Sequence, residues 1–260
     1  MKKLSLALLA LLAFSFVGCE GWLDIPDDPE PDPEPEPIEE ALINLITTEA
    51  TLHYGETFQI EAECENPITY TSEDEYYAMV SEDGLVTAGF VGSTSIMLET
   101  EGDSQVFEVT IEPTIDLYAE PEVEFGETRD DIVERFGTPD EEDEEAALYG
   151  SYADNAMLMV VFDEEGLVSY YAVIISTDLE NDLNAFLGER YMFYGEEDGL
   201  KIYINALDVA DCTLIVGTQY VDENYLMALY MPHEGDDGGE GGEGEGKGSR
   251  VLRILRGFGK

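Results

Sequence analysis

Residues 70–100 have the sequence YTSEDEYYAMVSEDGLVTAGFVGSTSIMLET, which is the most informative stretch of the 260-residue chain about its fold. Apolar runs at residues 78–80 and 85–87 flank a Ser-Glu-Asp-Gly turn. In that turn, Gly84 suits the positive φ that tight hairpin turns require. The stretch therefore predicts a β-hairpin, and the glycines behind it predict a break before the next strand at residues 94–98.

The chain on either side of this hairpin continues the pattern of short strands. Residues 58–64 alternate apolar side chains with acidic or amide ones, which predicts one half-buried strand, and residues 107–111 alternate in the same way. Six or seven such strands within residues 41–113 predict a small all-β sandwich.

Residues 70–100 also resemble the bacterial immunoglobulin-like domain, group 2. The shared features are an aromatic residue before a Ser-rich turn, an Ala-x-Val strand and a Gly-Leu-Val-Thr-Ala hairpin, with Tyr70 where the family commonly has Trp. The resemblance covers residues 42–112. It implies an Ig-like sandwich of the kind found in bacterial adhesins and other surface proteins, and it supplies no catalytic residues.

The pattern changes after residue 113 and predicts helices mixed with strands. Thr128, followed by Asp131, is typical of a helix N-terminus, and the apolar stripe behind it stops at Gly137. Two strands are predicted next, at residues 157–162 and 167–175, joined by an acidic turn that ends in glycine. The order is a helix and then a hairpin.

A second unit of the same kind follows. Thr177 is predicted to cap a helix that ends at Gly188. Four further strands are predicted behind it, at residues 191–194, 201–205, 212–220 and 225–231. A multidomain chain is therefore expected, with the sandwich followed by an α+β domain over residues 114–232, built from short helices and antiparallel sheet in a possible tandem repeat.

Residues 126–141 and 162–171 together resemble the small envelope lipoproteins of the SmpA/BamE type and the tandem β-lactamase-inhibitor-protein fold. The shared features are a Gly-Thr-type cap, a short helix with a Gly-x-Pro stop, and a Phe-Asp-x-x-Gly hairpin. The resemblance covers residues 126–175 in detail and the second unit in outline. It implies a protein-binding scaffold of the cell envelope, not an enzyme.

Residues 1–18 have the pattern of a secretory signal peptide. Lys2 and Lys3 precede an apolar run that is too short to span a membrane comfortably as a helix. The sequence FVGC at residues 16–19 resembles the lipobox of bacterial lipoproteins, with Phe in place of the usual Leu. The resemblance implies that Cys19 is lipidated and anchors the mature chain to a membrane. The alternative is an ordinary secreted protein in which Cys19 is coincidental.

Three low-complexity segments flank the predicted domains. Residues 19–40 are rich in proline and acids, which predicts an extended stalk. Residues 233–248 are rich in glycine and acids, which predicts a flexible linker. The basic tail, residues 249–260, has the sequence SRVLRILRGFGK. A segment this short, with glycines at 257 and 259, is marginal as a helix, so we expect a disordered tail that folds back loosely on the acidic body. The alternative is a helix whose apolar face suits a membrane surface or a partner.

The charge of the chain excludes one class of partner. Asp and Glu number 60 against 11 Lys and Arg, which gives a net charge of -49. A body this acidic repels phosphate backbones, so no nucleic acid is expected as a partner, and it discourages self-association, so a monomer is expected.

No pattern predicts catalysis, a cofactor or a metal site. The two histidines, His53 and His233, have no nucleophile in a recognisable setting beside them. Acidic clusters such as residues 140–145 lack the spacing of a calcium-binding loop. Cys64 and Cys212 are expected to be buried thiols, with an interdomain disulfide as the alternative. We expect a protein that is not an enzyme, the alternative being a hydrolase with unrecognised carboxylates.

The second predicted domain is rich in tyrosine, and its strands are apolar or aromatic on both faces. Such a sheet is either covered on both sides or has one face that is an interaction patch. Tyr170, Tyr203 and Tyr220 lie at the polar parity of their strands. They are the candidate binding residues, because tyrosine is favoured at protein interfaces.

These features together predict a membrane-anchored bacterial envelope lipoprotein that acts as a binding, adhesion or accessory module through its Ig-like and α+β domains. Its partners would be the membrane, through the lipid, and a protein or glycan. The expected location is the outer membrane, facing the cell surface or the periplasm. Two alternatives are an inhibitor-like protein that binds a secreted enzyme and a periplasmic envelope-assembly factor.

Overall fold

The computed structural model describes residues 42–197 and 199–233. The predicted signal peptide, the lipidation site Cys19, the stalk, the basic tail and all but the first residue of the linker lie outside the described residues. The described part is mostly β-sheet, with two short α-helices and several sheets. The expectation of a β-rich chain with several sheets is confirmed.

Nine strands form the first part of the described chain. They are β1 Asn44–Leu45, β2 Glu49–Leu52, β3 Thr57–Gln59, β4 Ala62–Glu63, β5 Thr69–Ser72, β6 Ala78–Val80, β7 Leu85–Ala88, β8 Gly92–Thr100 and β9 Asp103–Ile111. A four-stranded sheet has the order β2-β9-β8-β5, a three-stranded sheet has the order β3-β7-β6, and β1 pairs with β4. Both larger sheets contribute to one buried core, which includes Leu52, Ala78, Val86, Ile96, Leu98, Phe107 and Val109.

The hairpin predicted within residues 70–100 is confirmed. Strands β6 and β7 are antiparallel, with Ala78 opposite Ala88 and Val80 opposite Val86. Gly84, in the turn between them, has a φ of 80°. The ring of Tyr70 lies against this glycine, since a Cβ placed there would be 2.8 Å from its Cζ atom. Glycine is therefore required at this position for two reasons, the backbone conformation and the close approach of a ring.

The strand predicted over residues 58–64 is instead two strands, β3 and β4, which pair with different sheets. The change occurs between two neighbouring residues. The Ile60 amide donates to the Gly84 carbonyl, whereas the Glu61 carbonyl accepts from the Ile46 amide. Ile60 itself is 3% exposed. The alternating pattern is satisfied because the chain changes sheets while its apolar side chains remain turned to the same core.

The second part of the described chain contains both helices and one large sheet. Its elements are α1 Arg129–Phe136, β10 Glu141–Glu142, β11 Ala146–Ala153, β12 Ala156–Phe162, β13 Val168–Ser176, α2 Glu180–Gly188, β14 Met192–Glu197, β15 Leu200–Ile204, β16 Leu214–Tyr220 and β17 Tyr225–Pro232. The sheet has eight antiparallel strands in the order β10-β11-β12-β13-β17-β16-β15-β14. A helix followed by four strands occurs twice, and the last strands of the two halves pair at the centre.

Helix α1 forms where the capping pattern predicted it. Thr128 is the N-cap, and it exchanges hydrogen bonds with Asp131 in a capping box. Gly137 ends the helix with a φ of 84°. The second cap differs from the prediction, because the side chain that accepts the capping hydrogen bond is that of Ser176, at the start of a 3₁₀ turn that leads into α2. The Thr177 hydroxyl instead bonds the Glu223 carbonyl.

The eight-stranded sheet is apolar on both faces. Ile132 of α1 and Phe186 of α2 belong to the same buried cluster as Val173 of β13, so both helices pack on one side, which we call the helix-covered face. Ala172 and Leu229, from the two central strands, belong to a separate cluster on the opposite side. A sheet of this kind must bury two apolar surfaces instead of one.

The two cysteines of the described chain lie in different cores. Cys64 packs against the core of the first part and is half-buried, which corrects the expectation that both thiols are buried. Cys212 is buried beside the opposite face of the large sheet, with its Sγ atom 3.1 Å from the Leu214 carbonyl. Burial raises the pKa of the Cys212 thiol.

Candidate interaction surface

The three tyrosines predicted to bind a partner do not form one patch. Tyr203 lies on the helix-covered face, 4% exposed, with its hydroxyl 3.4 Å from Asn184 of α2. Tyr220 lies at the end of β16, 50% exposed, and donates to Glu180 across 2.7 Å. Tyr170 packs against the cluster of the opposite face. Binding by these residues remains a prediction, with Tyr220 as the exposed member.

Burial has a direct effect on the chemistry of Tyr203. It is the main cause that raises the pKa of this phenol to about 12, with a smaller contribution from the Glu196 carboxylate. The hydroxyl therefore stays protonated and serves as a buried hydrogen-bond donor. A packing role fits this environment better than contact with a partner.

The opposite face of the sheet is the larger candidate surface. We call it the methionine face, and it is defined by Met157, Met159, Met192, Met227, Leu229 and Met231, which have the same strand parity as the buried cluster on that side. Methionine side chains are flexible and polarizable, so they adapt to irregular partners. Methionine is therefore frequent on surfaces that bind several different protein partners.

The register of the strands places these side chains in rows across the sheet. In one row, Met157 of β12 stands opposite Ile174 of β13, which stands opposite Met227 of β17. All three are half-buried. A second, parallel row runs across six strands and contains Leu148, Met159, Ala172, Leu229, Gly217 and Ile202. The centre of this row is buried, since Ala172, Leu229 and Ile202 are at most 2% exposed, whereas Met159 is half-buried.

The loop between β15 and β16 covers one end of the methionine face. Ala206, Val209 and Cys212 of the loop between β15 and β16 pack there. Neither helix contributes to this cluster in the part of the chain that the structure describes, since both pack on the other side. The half-buried methionines of β12 and β17 therefore lie on an apolar surface that no described helix covers. The accessible part of this face is the half-buried set Met157, Met159, Ile174 and Met227, whereas Leu229 and Met231 are 2% and 3% exposed. A partly exposed apolar patch of this kind is typical of an interaction site.

Acidic groups stand beside this face. Asp208 and Asp211 lie in the loop that covers its end. On the same sheet, burial and then the Glu145 carboxylate raise the pKa of Tyr170. A partner of the methionine face would thus meet apolar side chains bordered by negative charge.

The basic residues of the described chain lie on the other side of the sheet or at its margin. The sequence has only four Lys and Arg between residues 42 and 233, and each forms an ion pair with a carboxylate. The pairs are Arg129–Glu142, Arg135–Glu127, Arg190–Glu189 and Lys201–Glu180. Two of these cations belong to α1, and the others contact Phe186 and Glu180 of α2. None is available to neutralise the acids beside the methionine face.

Sequence reasoning missed the junction between the two parts of the described chain. The Glu189 carboxylate, 6% exposed, accepts hydrogen bonds from the Thr114 amide at 2.9 Å, the Thr114 hydroxyl at 2.7 Å and the Ile115 amide at 3.0 Å. Arg190 donates to the same carboxylate at 2.8 Å and stacks over the Phe186 ring. The group holds the start of the segment that follows β9 against the end of α2. No local spacing in the sequence signals it, because its members are far apart along the chain.

Opposing effects act on the ionisation of Glu189. Burial disfavours the carboxylate, but the hydrogen bonds from Thr114, Ile115 and Arg190 favour it more, so its pKa lies below the ordinary value of 4.5. The group is therefore ionised at neutral pH, and it stabilises the junction as an anion.

The two histidines of the described residues lie apart from each other, and neither belongs to a group placed to bind a metal ion. The His53 ring lies 3.0 Å from the Glu112 carbonyl, and the His233 amide donates to the Thr213 carbonyl just beyond β17. Within residues 42–197 and 199–233, no group of three or more His, Cys, Asp or Glu side chains is placed to hold a metal ion. Over the same residues, neither helix has the length and apolar character needed to cross a membrane.

Comparison with known proteins adds no relative. No protein-family model matches the chain, and no curated protein matches it.

Proposed function

We propose that this chain is a membrane-anchored envelope lipoprotein that acts as a non-catalytic binding module. The observation that carries the proposal is the row of half-buried Met157, Ile174 and Met227 on the methionine face, on which neither helix of the described residues packs. The face provides what a protein partner requires, which is contiguous apolar area on a rigid scaffold with charged groups beside it.

The architecture of the first part supports an Ig-like assignment. Four strands in one sheet and three in the other contribute to a single core, as in sandwiches of the immunoglobulin type. The Gly-Leu-Val-Thr-Ala segment that this chain shares with the family, residues 84–88, forms the turn and the second strand of the hairpin. We assign residues 41–113 to a group 2 bacterial Ig-like domain, which would act as a spacer or an adhesive unit.

The topology of the second part supports a tandem unit of the SmpA/BamE or β-lactamase-inhibitor type. The order of one helix and four strands occurs twice, and the halves meet at β13 and β17. Such an arrangement leaves one face of the sheet free of helices because both helices pack on the other. We assign residues 114–232 to this α+β domain and place the binding surface on it.

The anchor rests on the lipobox-like sequence around Cys19. A diacylglyceryl group there, together with further acylation, would hold the chain on a bilayer, and the proline-rich stalk would carry the domains away from it. We place the protein at the outer membrane. A Cys19→Ala variant is expected to lose incorporation of labelled fatty acid and to leave the envelope fraction, whereas Cys64→Ala is the matched control and keeps both. Equal labelling of the parent and the Cys19→Ala variant would contradict the anchor.

The binding function is tested by photo-crosslinking in intact cells. A photo-reactive residue replaces either Met227, on the methionine face, or Met79, which is 48% exposed on β6 and is the matched control. We expect covalent adducts of higher mass from position 227 and few or none from position 79. Absence of adducts at 227, or equal adducts at both positions, would overturn the assignment of this face as the binding surface.

A further inference from the structure

We propose that the basic tail, residues 249–260, docks on the methionine face of its own chain and covers it until a partner displaces it. The docking stands by itself, whereas its role in controlling a partner rests on the proposed binding function. The argument uses the position at which the described chain ends, the reach of the segment beyond it, the apolar spacing of the tail and its charge.

The described chain ends close to this face. Strand β17, which carries Met227, Leu229 and Met231, is one of the two central strands of the sheet, and only His233 follows it in the described residues. The segment that joins β17 to the tail therefore starts at the end of a central strand, beside the loop between β15 and β16 that packs on this face.

The length of that segment is sufficient for the tail to reach every part of the face. Residues 234–248 can extend to about 50 Å, and as a glycine-rich chain they have an average span of roughly 20 Å. Eight strands spaced about 4.8 Å apart make the sheet about 34 Å wide, so its edges lie within about 20 Å of β17. A tether of this length holds the tail at an effective concentration in the millimolar range.

The apolar residues of the tail match a flat apolar surface. Val251, Ile254, Leu255 and Phe258 have the spacing of one side of a helix, whose length over 12 residues would be about 18 Å. A helix this short is marginal by itself in water. Methionine side chains can adapt to the shape of the tail helix. Packing on them would bury the apolar side chains that the isolated helix leaves in water.

Charge favours this occupant over another part of the chain. The tail and the lysine before it contain five cations, at residues 247, 250, 253, 256 and 260. The four cations of residues 42–233 are paired with carboxylates elsewhere. Asp208 and Asp211, in the loop at one end of the face, pair with none of these four cations, and apart from Lys247 the tail holds the remaining positive charge of residues 42–260. The arginines beside its apolar stripe would reach these carboxylates while the stripe faces the methionines.

Oxidation of methionine tests the docking in the purified full-length chain, with no partner present. Dilute hydrogen peroxide oxidises accessible thioethers, and mass spectrometry gives the rate at each methionine. In a variant with Arg250→Glu, Arg253→Glu and Arg256→Glu, we expect Met159 and Met227 to oxidise about tenfold faster than in the parent, while Met79 changes by less than about twofold. A Phe258→Glu variant, which removes the apolar anchor, is expected to give the same result.

A Lys201→Glu variant is the control for charge, because Lys201 pairs with Glu180 on the helix side of the sheet. It is expected to leave the oxidation of Met227 unchanged. Equal rates at Met227 in the parent and in both tail variants would overturn the docking.

The position of the tail is tested separately with a photo-reactive phenylalanine analogue at position 258. We expect intramolecular crosslinks to strands β12, β13 or β17. Crosslinks to residues 42–111, or only between two copies of the chain, would overturn the proposal. If Met227 is protected while crosslinking in cells captures no partner, the docking stands and the binding function fails. If the tail variants change nothing while position 227 captures a partner, the binding function stands and the docking fails.

Discussion

The phenol of Tyr76 donates a hydrogen bond across 2.8 Å to the backbone carbonyl of Arg190, and this bond joins the two parts of the described chain. Tyr76 is 8% exposed, and its ring stacks on Phe90 at 4.5 Å between centroids. Close by, the Val91 amide donates to the Glu189 carbonyl at 2.8 Å. The loops that precede β6 and β8 therefore contact the two residues that follow α2.

The Tyr76→Phe variant removes this hydrogen bond but keeps the ring on Phe90. We expect the free energy of unfolding to fall by about 1 kcal/mol, because the Arg190 carbonyl loses a buried partner. Urea denaturation measures the change. Tyr77→Phe is the neighbouring control, since Tyr77 packs over Gly92 through its ring carbons and should lose less. Equal losses in the two variants would contradict a specific role for the Tyr76 hydroxyl.

The Glu189→Gln variant weakens the junction more strongly. It replaces a buried carboxylate that accepts hydrogen bonds from Thr114, Ile115 and Arg190, and we expect a loss of about 2 kcal/mol near neutral pH. Glu120→Gln is the matched control. The Glu120 carboxylate lies 3.5 Å from Arg190 and is more exposed, so its loss should cost less than about 1 kcal/mol.

The effect of Glu189 depends on pH with a definite sign. Its folded pKa lies below the ordinary value of 4.5, so the unfolded chain binds this proton first as the pH falls. The contribution of Glu189 is thus complete above pH 4.5 and is lost as the pH falls through the folded pKa. The difference in unfolding free energy between the parent and Glu189→Gln should shrink over that range. A difference that grows on acidification would show that the sign is wrong.

Two glycine substitutions separate the backbone effect from the effect of packing. Gly84 and Gly55 have φ of 80° and 78°, but a Cβ at Gly84 meets the Tyr70 ring at 2.8 Å, whereas a Cβ at Gly55 meets nothing within 4 Å. We expect Gly55→Ala to cost about 1 kcal/mol from the backbone alone. Gly84→Ala should cost about 2 to 4 kcal/mol, because the ring must also move. Thermal or urea unfolding of the two variants checks this, and equal costs would mean that Tyr70 moves freely.

Buried phenols make the protein sensitive to alkali. Burial is the main cause that raises the pKa of Tyr118, Tyr171, Tyr191 and Tyr230 above the ordinary value of 10.0. In the unfolded chain these groups lose their protons near pH 10, while the folded chain retains them, so the unfolded state is favoured as the pH rises further. We expect this contribution to the free energy of unfolding to be steady between about pH 7 and pH 9 and to fall above about pH 10.

Near-ultraviolet absorbance of phenolate, recorded with urea denaturation at each pH, checks this dependence. The buried tyrosines should ionise only when the chain unfolds, and the Tyr118 and Tyr230 hydroxyls, 2.9 Å apart, should be among them. Ionisation of all 15 tyrosines near pH 10 in the folded protein would contradict the expected burial.

The accuracy of sequence reasoning differs between local and distant features. The capping box of Thr128 and Asp131 and the turn at Gly84 were predictable, because each depends on residues a few positions apart. The break after Ile60 was not predictable, since alternation of side chains continues across a change of sheet. The candidate tyrosines show the same limit. Parity alone placed Tyr170 and Tyr203 together, but they lie on opposite faces of one sheet.

Spacing and composition are local properties, so they were enough to locate both helices and the hairpin around Gly84, and to indicate the acidic character of the chain and the two apolar faces of the second part. Only the tertiary structure decided which face the helices cover, which methionines share the other face, and where the two parts meet. The physical reason is that those choices depend on contacts between distant residues, such as Tyr76 and Arg190, which are 114 positions apart and carry no common pattern in the sequence.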